Sequence, residues 1–170
     1  MKTVGYAAKS EGAQLGEYTF ERRDLRDNDV EIEILYCGVC HSDLHAVRND
    51  WGGSRYPLVP GHEIVGKVKA IGSAVKNYEK GDTVAVGCMV DSCQSCKQCD
   101  NGEEQFCQEG MVGTYAGKDR ETGEMTQGGY SKHIVVREEF VLSVPENLEL
   151  SRVAPLLCAG ITTYSPLHKW

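Results

Sequence analysis

The segment CQSCKQCDNGEEQFC, residues 93 to 107, holds four of the chain's eight cysteines, and Phe106 is its only large apolar side chain. Ordering a residue costs about 1–2 kcal/mol of backbone entropy, and this stretch has almost nothing to bury in return. Something other than a hydrophobic core has to hold it. Cys93, Cys96, Cys99 and Cys107 follow the spacing C-x2-C-x2-C-x7-C. Two-residue gaps bring neighbouring thiolates close enough to share one ion, and four sulfur ligands satisfy tetrahedral zinc with no open position. Such a closed site is structural. A ferredoxin-type iron–sulfur run also begins C-x2-C-x2-C, but its fourth cysteine follows after about three residues and precedes proline. Here seven residues intervene and Gln108 follows.

Composition narrows the setting. With 41 % hydrophobic residues in 170, the chain can build about one ordinary core. A net charge of -7 without any basic run argues against a nucleic-acid groove, which needs clustered Lys and Arg. The stretch MKTVGYAAKSEGAQLGEY lacks the apolar region of a signal peptide, and no window approaches the roughly 18 apolar residues of a membrane span. The expectation is a cytoplasmic protein without nucleic-acid or membrane partners. In a reducing compartment eight cysteines point to metal or catalysis rather than to disulfides.

Most of the first 145 residues read as short strands rich in Val and Ile, punctuated by Gly, Asp and Pro: 30–36, 64–72, 82–87, 133–136 and 140–145. Close spacing of such strands suggests a compact barrel or sandwich. Residues 40–61 and 88–129 read as long polar loops, a length usually tied to function. From 148 onward apolar residues fall at helical spacing, with Ser151 as the expected cap and Pro155 and Pro166 as the expected bounds of short helices.

A second group of metal-type residues is scattered. CGVCHSDLH (Cys37 to His45) follows a strand, GHE (Gly61 to Glu63) opens the next, and Cys158 lies in LLCAGITT. Singly these are weak, since a lone Cys is more often a small hydrophobe and a lone His a satisfied core residue. In order, however, Cys40, GHE, the cysteine lobe, QGGY and the late Cys158 resemble the zinc-dependent medium-chain alcohol dehydrogenases, in particular the cinnamyl alcohol dehydrogenase and aldehyde reductase branch. The resemblance spans the whole chain. It implies a mainly β, GroES-like partly open barrel with long loops, a four-cysteine zinc lobe and short C-terminal helices. It also implies two zinc ions per chain, NADP(H) in the full-length enzyme and interconversion of small alcohols and aldehydes.

Carried over by position, the resemblance makes Cys40, His62 and Cys158 ligands of the catalytic zinc, with Glu63 an occasional alternative. It makes Asp43 the carboxylate that orients the zinc-bound imidazole. Ser42 and His45 become a proton relay, His41 and Thr162 cofactor contacts, and Trp51 and Cys88 pocket residues. Where lignin-type plant members carry a pocket Trp after the lobe, this chain has Gly113, which favours a broader aldehyde reductase. No two of the nineteen glycines stand two positions apart, so the Gly-x-Gly-x-x-Gly turn of a dinucleotide-binding domain is not in this sequence. The expected organisation is a catalytic domain over 1–150 and a helical connection over 151–170, the amino-terminal part of a homodimeric enzyme. Alone, this part is expected to self-associate or pair with its missing half and to turn over no cofactor. Two other classes stay open on residues alone: a non-catalytic zinc module and an iron–sulfur carrier.

Overall fold

The computed structural model describes every residue from Met1 to Trp170. Its centre is a five-stranded antiparallel sheet made of β3 (Asp29–Cys37), β4 (Ile64–Ile71), β5 (Thr83–Val86), β8 (His133–Arg137) and β9 (Val141–Ser143), in the order β8-β3-β4-β5-β9. β3 pairs Val30 with Ile71 and Cys37 with Ile64, with two register shifts between. Such irregularities bend a strand and increase its twist, and the sheet curls accordingly. Its inner face carries Val30, Ile32, Ile64, Val68, Val84, Val86, Ile134 and Val136, all buried in one cluster. Each such side chain contributes about 1.5–3 kcal/mol when fully removed from water. The Val- and Ile-rich runs therefore form the sheet that the sequence led us to expect, each within about two residues of its expected ends.

Two strand pairs flank this sheet. β1 (Lys2–Ala7) and β2 (Gly16–Glu21) form one, and β6 (Met89–Asp91) with β7 (Val112–Gly113) closes the base of the cysteine lobe. The sequence did not announce β1, because its polarity runs backwards. Thr3, Gly5 and Ala7 face inward while Val4 and Tyr6 face out. Gly5 is required there: a Cβ would sit 2.6 Å from the Tyr130 carbonyl oxygen.

Three local expectations need correction. Residues 40–61 are not all loop, for α1 spans His41–Arg48. Its N-cap is Cys40, whose sulfur accepts from the Ser42 amide at 3.4 Å while the Asp43 carboxylate accepts from the Cys40 amide at 3.0 Å. Together these contacts form a capping box in which sulfur replaces the usual hydroxyl, so a search for Ser, Thr, Asp or Asn passes over it. Beyond the single-turn α2 of the lobe (Lys97–Asp100), Ser151 is not a cap but lies inside α3 (Leu150–Val153), which starts after Glu149. Pro166 does not bound a helix; it lies within α4 (Ala159–Lys169). The carbonyl it leaves without an amide, four residues earlier at Thr162, is in an exposed segment where water can satisfy it. No helix is long and apolar enough to cross a membrane.

An ion-pair knot ties the segment before β3 to the loop after the lobe. Arg26 grips Asp119 with two hydrogen bonds of 2.8 and 3.2 Å, Arg23 reaches the same carboxylate at 3.3 Å, and Arg23 also pairs with buried Asp29. Burial alone would raise the Asp119 carboxyl, but the Arg26 hydrogen bonds and the Thr122 and Glu121 amides hold it well below the ordinary carboxylate range. A depressed folded-state value gives stability that is present above the unfolded pKa of about 3.9 and is lost as pH falls through the folded one. The thermal midpoint is therefore expected to drop progressively below about pH 4, and Asp119→Asn should remove part of that dependence. Thermal melts of both chains across pH check this, and superimposable slopes would exclude the knot as a source of acid sensitivity.

Candidate metal centres

The first centre gathers residues from three distant parts of the chain. Cys40 caps α1, His62 and Glu63 end the buried segment that leads into β4, and Cys158 stands at the start of α4. Ligand-type atoms of Cys40, His62, Glu63 and Cys158 all lie within 4.8 Å of one another. The two sulfurs are 3.8 Å apart. Burial, and then the neighbouring Cys40 thiolate, push the Cys158 thiol up to about 11. Two thiolates this close repel each other until a cation joins them. A pair of thiolates with an imidazole and a carboxylate suits zinc in both softness and spacing, so the donor set fits that ion.

Asp43 organises this centre. It is buried, and both of its oxygens are used twice. Oδ1 accepts from the Gly61 amide at 2.9 Å and from His62 Nδ1 at 3.0 Å. Oδ2 accepts from the Cys40 amide at 3.0 Å and from the Tyr130 hydroxyl at 3.1 Å. With Nδ1 donating to the carboxylate, Nε2 is the free acceptor nitrogen of His62, the arrangement seen where histidine ligates a metal. Burial opposes charge on both partners, yet their mutual hydrogen bond and attraction, joined by Cys40 beside His62 and by the Cys40 and Gly61 amides on Asp43, together outweigh it, raising His62 and lowering Asp43. Burial also raises the Glu63 carboxyl above its usual range. At Cys40, burial is likewise outweighed by the Ser42 amide and hydroxyl together with Cys158 and His62, which lower the thiol.

The second centre is the lobe. Ligand atoms of Cys93, Cys96, Cys99 and Cys107 also lie within 4.8 Å of one another. Sulfur–sulfur distances of 3.8 Å (Cys93 to Cys99) and 3.5 Å (Cys96 to Cys99) are of the order of a tetrahedral edge. Backbone N–H groups point at the sulfurs, from Cys93 to Cys107 and from Gln108 to Cys96, each at 3.5 Å. The Ser92 hydroxyl is 3.2 Å from Cys99. Phe106 is 63 % exposed, so even the lobe's one large apolar side chain is not used as core.

The remaining candidates distribute unevenly. His45 lies one turn beyond Ser42 on α1, with Nδ1 2.8 Å from Asp50, its ring 5.4 Å from His41 and 5.0 Å from Trp51. His41, Trp51 and Thr162 are exposed, and Thr162 sits in the first turn of α4 with its amide on the Cys158 carbonyl. Cys88 is exposed and joins neither centre. Cys37 joins neither as well: its sulfur fills the space above Gly61 and Gly129, where a Cβ would come within 2.9 Å. Gly113 is a β7 residue paired with Met89. Two tyrosines were not singled out from the sequence, Tyr130 on Asp43 and Tyr115, whose ring lies 5.6 Å from that of His62. Burial and then the Asp43 carboxylate keep both phenols protonated. Only the motif QGGY hinted at the first, and nothing in residue type marked the second.

Residues 26–146 match the family described as the alcohol dehydrogenase GroES-like domain. The chain belongs to that family. Among curated proteins this GroES-like chain is 54 % identical over 172 residues to the aldehyde reductase YahK of Escherichia coli, matching 100 % of this chain and 48 % of that protein. It is 52 % identical over 166 residues to a probable cinnamyl alcohol dehydrogenase 8C of rice, over 96 % of this chain and 38 % of the relative. Among solved structures it superimposes on a CAD from Helicobacter pylori complexed with NADP(H), with a TM-score of 0.95 at 47 % identity, over 99 % of this chain and 48 % of that one. The GroES-like chain thus spans about half or less of these relatives' length.

Proposed function

We propose that this chain is the zinc-binding catalytic portion of an oxidoreductase that interconverts primary alcohols and aldehydes with NADP(H), working mainly as an aldehyde reductase on broad or aromatic substrates. The observation that carries the reading is the convergence of Cys40, His62, Glu63 and Cys158 within 4.8 Å, beside a hydroxyl on Ser42. Residues 1–150 form the catalytic domain in this reading, and the helical residues 151–170 lead towards the cofactor domain. Cys40, His62 and Cys158 hold one zinc ion, Glu63 stands by as an alternative ligand, and the lobe holds a second. Bound at the first centre, zinc would supply a Lewis acid and NADP(H) the hydride.

The chain's own residues then handle orientation and the proton. Asp43 fixes the His62 ring through Nδ1. Ser42 follows the capping cysteine and sits half-buried beside it, so its hydroxyl can give a proton to, or take one from, a substrate oxygen at that centre. His45 lies three residues on, which places it on the same helix face. Its ring is partly exposed and braced by Asp50, suited to passing the proton to solvent. His41 and Thr162 flank the site as cofactor contacts, and Trp51 and Cys88 form the outer pocket wall.

In the full-length protein, Ser42→Ala should lower the rate of aldehyde reduction by about 100- to 10,000-fold, the usual weight of a general acid–base group. Cofactor affinity should barely move. Steady-state kinetics with NADPH and an aromatic aldehyde, with cofactor binding followed by fluorescence, check this; an unchanged rate would remove Ser42 from the relay.

A further inference from the structure

Arg22 makes an unusual set of contacts for a buried cation. The residue is half-buried as a whole, but its guanidinium is enclosed. It forms no ion pair of its own. Instead, Nε donates to the His133 carbonyl at 3.0 Å, Nη1 to the Gln127 carbonyl, and Nη2 to the Gly128 carbonyl at 2.8 Å and the Ser131 hydroxyl at 2.9 Å. The Phe20 ring lies 4.9 Å below it. Burial and then Arg23 push its pKa down to about 9, and no carboxylate pairs with it to offset this. A charge kept in such surroundings is costly unless fully hydrogen-bonded, and here three of its four hydrogen bonds go to one turn, residues 127–131.

That turn is fused to the segment that carries His62. Its amides at Gly128, Gly129 and Tyr130 donate to the carbonyls of Val59, Gly61 and Pro60 at 2.7, 2.8 and 2.9 Å. The Gln127 side chain adds a bond from the Val59 amide at 2.7 Å. With the amides facing that segment, several of the turn's carbonyls face away, and the planar five-donor fork of Arg22 satisfies them together. Gly128 and Gly129 permit the approach, since a Cβ at either would collide with the Pro60–Gly61 backbone or with Ile64. The turn then delivers Tyr130, whose hydroxyl donates to Asp43 Oδ2 at 3.1 Å.

We propose that Arg22 is a positioning residue for the first metal centre, acting through the 127–131 turn and Tyr130 on Asp43 and so on the orientation of the His62 ring. The inference rests on the reading of that centre as a metal site. Lysine cannot replace Arg22 here, because one ammonium cannot span a set of acceptors that a planar fork reaches at three nitrogens.

Cobalt(II) alone, added to the metal-free 170-residue chain, is the probe. The paramagnetically shifted imidazole N–H of a cobalt-bound histidine reports only the first centre, because the lobe contains no histidine, and that N–H is the one bonded to Asp43. In Tyr130→Phe, Arg22→Lys and Arg22→Gln, exchange of this proton with water is expected to accelerate. Cobalt affinity at the first centre should fall about 10- to 100-fold, the usual loss when a hydrogen-bond partner behind a ligand is removed, while cobalt binding by the lobe is unchanged. Arg22→Lys combined with Tyr130→Phe should be no worse than the more severe single change, since the two lie on one path. Additive losses, or unchanged proton exchange in both Arg22 variants, would overturn the proposal. Parallel loss of cobalt from both centres in the Arg22 variants would overturn it too, by showing a role in the fold alone. Absence of any shifted imidazole signal in the unsubstituted chain would instead overturn the metal-site reading beneath it.

Discussion

A Cys99→Ser chain is expected to retain one zinc ion where the unsubstituted chain retains two, and to lose ordered structure between Met89 and Gly113. In the function proposed above the four lobe cysteines share one ion, and Cys99 lies against Cys93, Cys96 and Ser92 at 3.8, 3.5 and 3.2 Å. Apart from Cys99 and Cys107, the segment 93–107 has no buried residue. Structural zinc binding is worth about 10–16 kcal/mol in small sites, against about 5–15 kcal/mol for the stability of a whole domain. No rearrangement of polar side chains in this lobe can replace a term of that size. Cys158→Ser is the complementary change: it should cost the other ion and leave the lobe folded, because the two centres have no ligand in common. Metal analysis after dialysis, with amide hydrogen exchange across residues 88–113, reads both outcomes. If both variants lose the same ion and the same protected amides, the partition of the cysteines is wrong.

The lobe was legible because its physics is local. Four thiols in fifteen residues with nothing apolar between them leave few ways to order the chain. The curled sheet was legible for a similar reason, since its Val and Ile runs are continuous and bounded by turn residues. The first centre was harder: Cys40, His62 and Cys158 are far apart in sequence, and only their order, read as a resemblance, linked them. What stayed hidden was whatever depends on tertiary geometry. The capping sulfur of Cys40 hid α1, the inward Gly5 hid β1, and a proline within α4 looked like an ending. Arg22 is one of several charges in ERRDLRD with nothing in its residue type to set it apart, and its role is visible only from its hydrogen bonds to the 127–131 turn.

Asp43→Asn is expected to empty the first centre almost as thoroughly as removal of a ligand, although it changes one atom and no shape. Each carboxylate oxygen accepts two hydrogen bonds, Oδ1 from the Gly61 amide and His62 Nδ1, Oδ2 from the Cys40 amide and the Tyr130 hydroxyl. An amide side chain keeps only one acceptor oxygen, so whichever way it turns, its NH2 group faces two donors. One backbone amide must then go unpaired in a buried place, at about 1–3 kcal/mol, and either His62 must give up its Nδ1 proton or the Tyr130 hydroxyl must turn to accept. If the oxygen stays on the Gly61 side, α1 loses half of its capping box and Cys40 its fixed position. If it turns the other way, the His62 ring loses the partner that selects its tautomer. Neither choice preserves both Cys40 and His62. Zinc affinity at this centre should fall at least as far as the roughly 10- to 100-fold typical of a lost partner behind one ligand, with the lobe's ion unaffected. Chelator competition against the purified Asp43→Asn chain measures it directly, and an affinity equal to that of the unsubstituted chain would mean that Asp43 does not organise the centre.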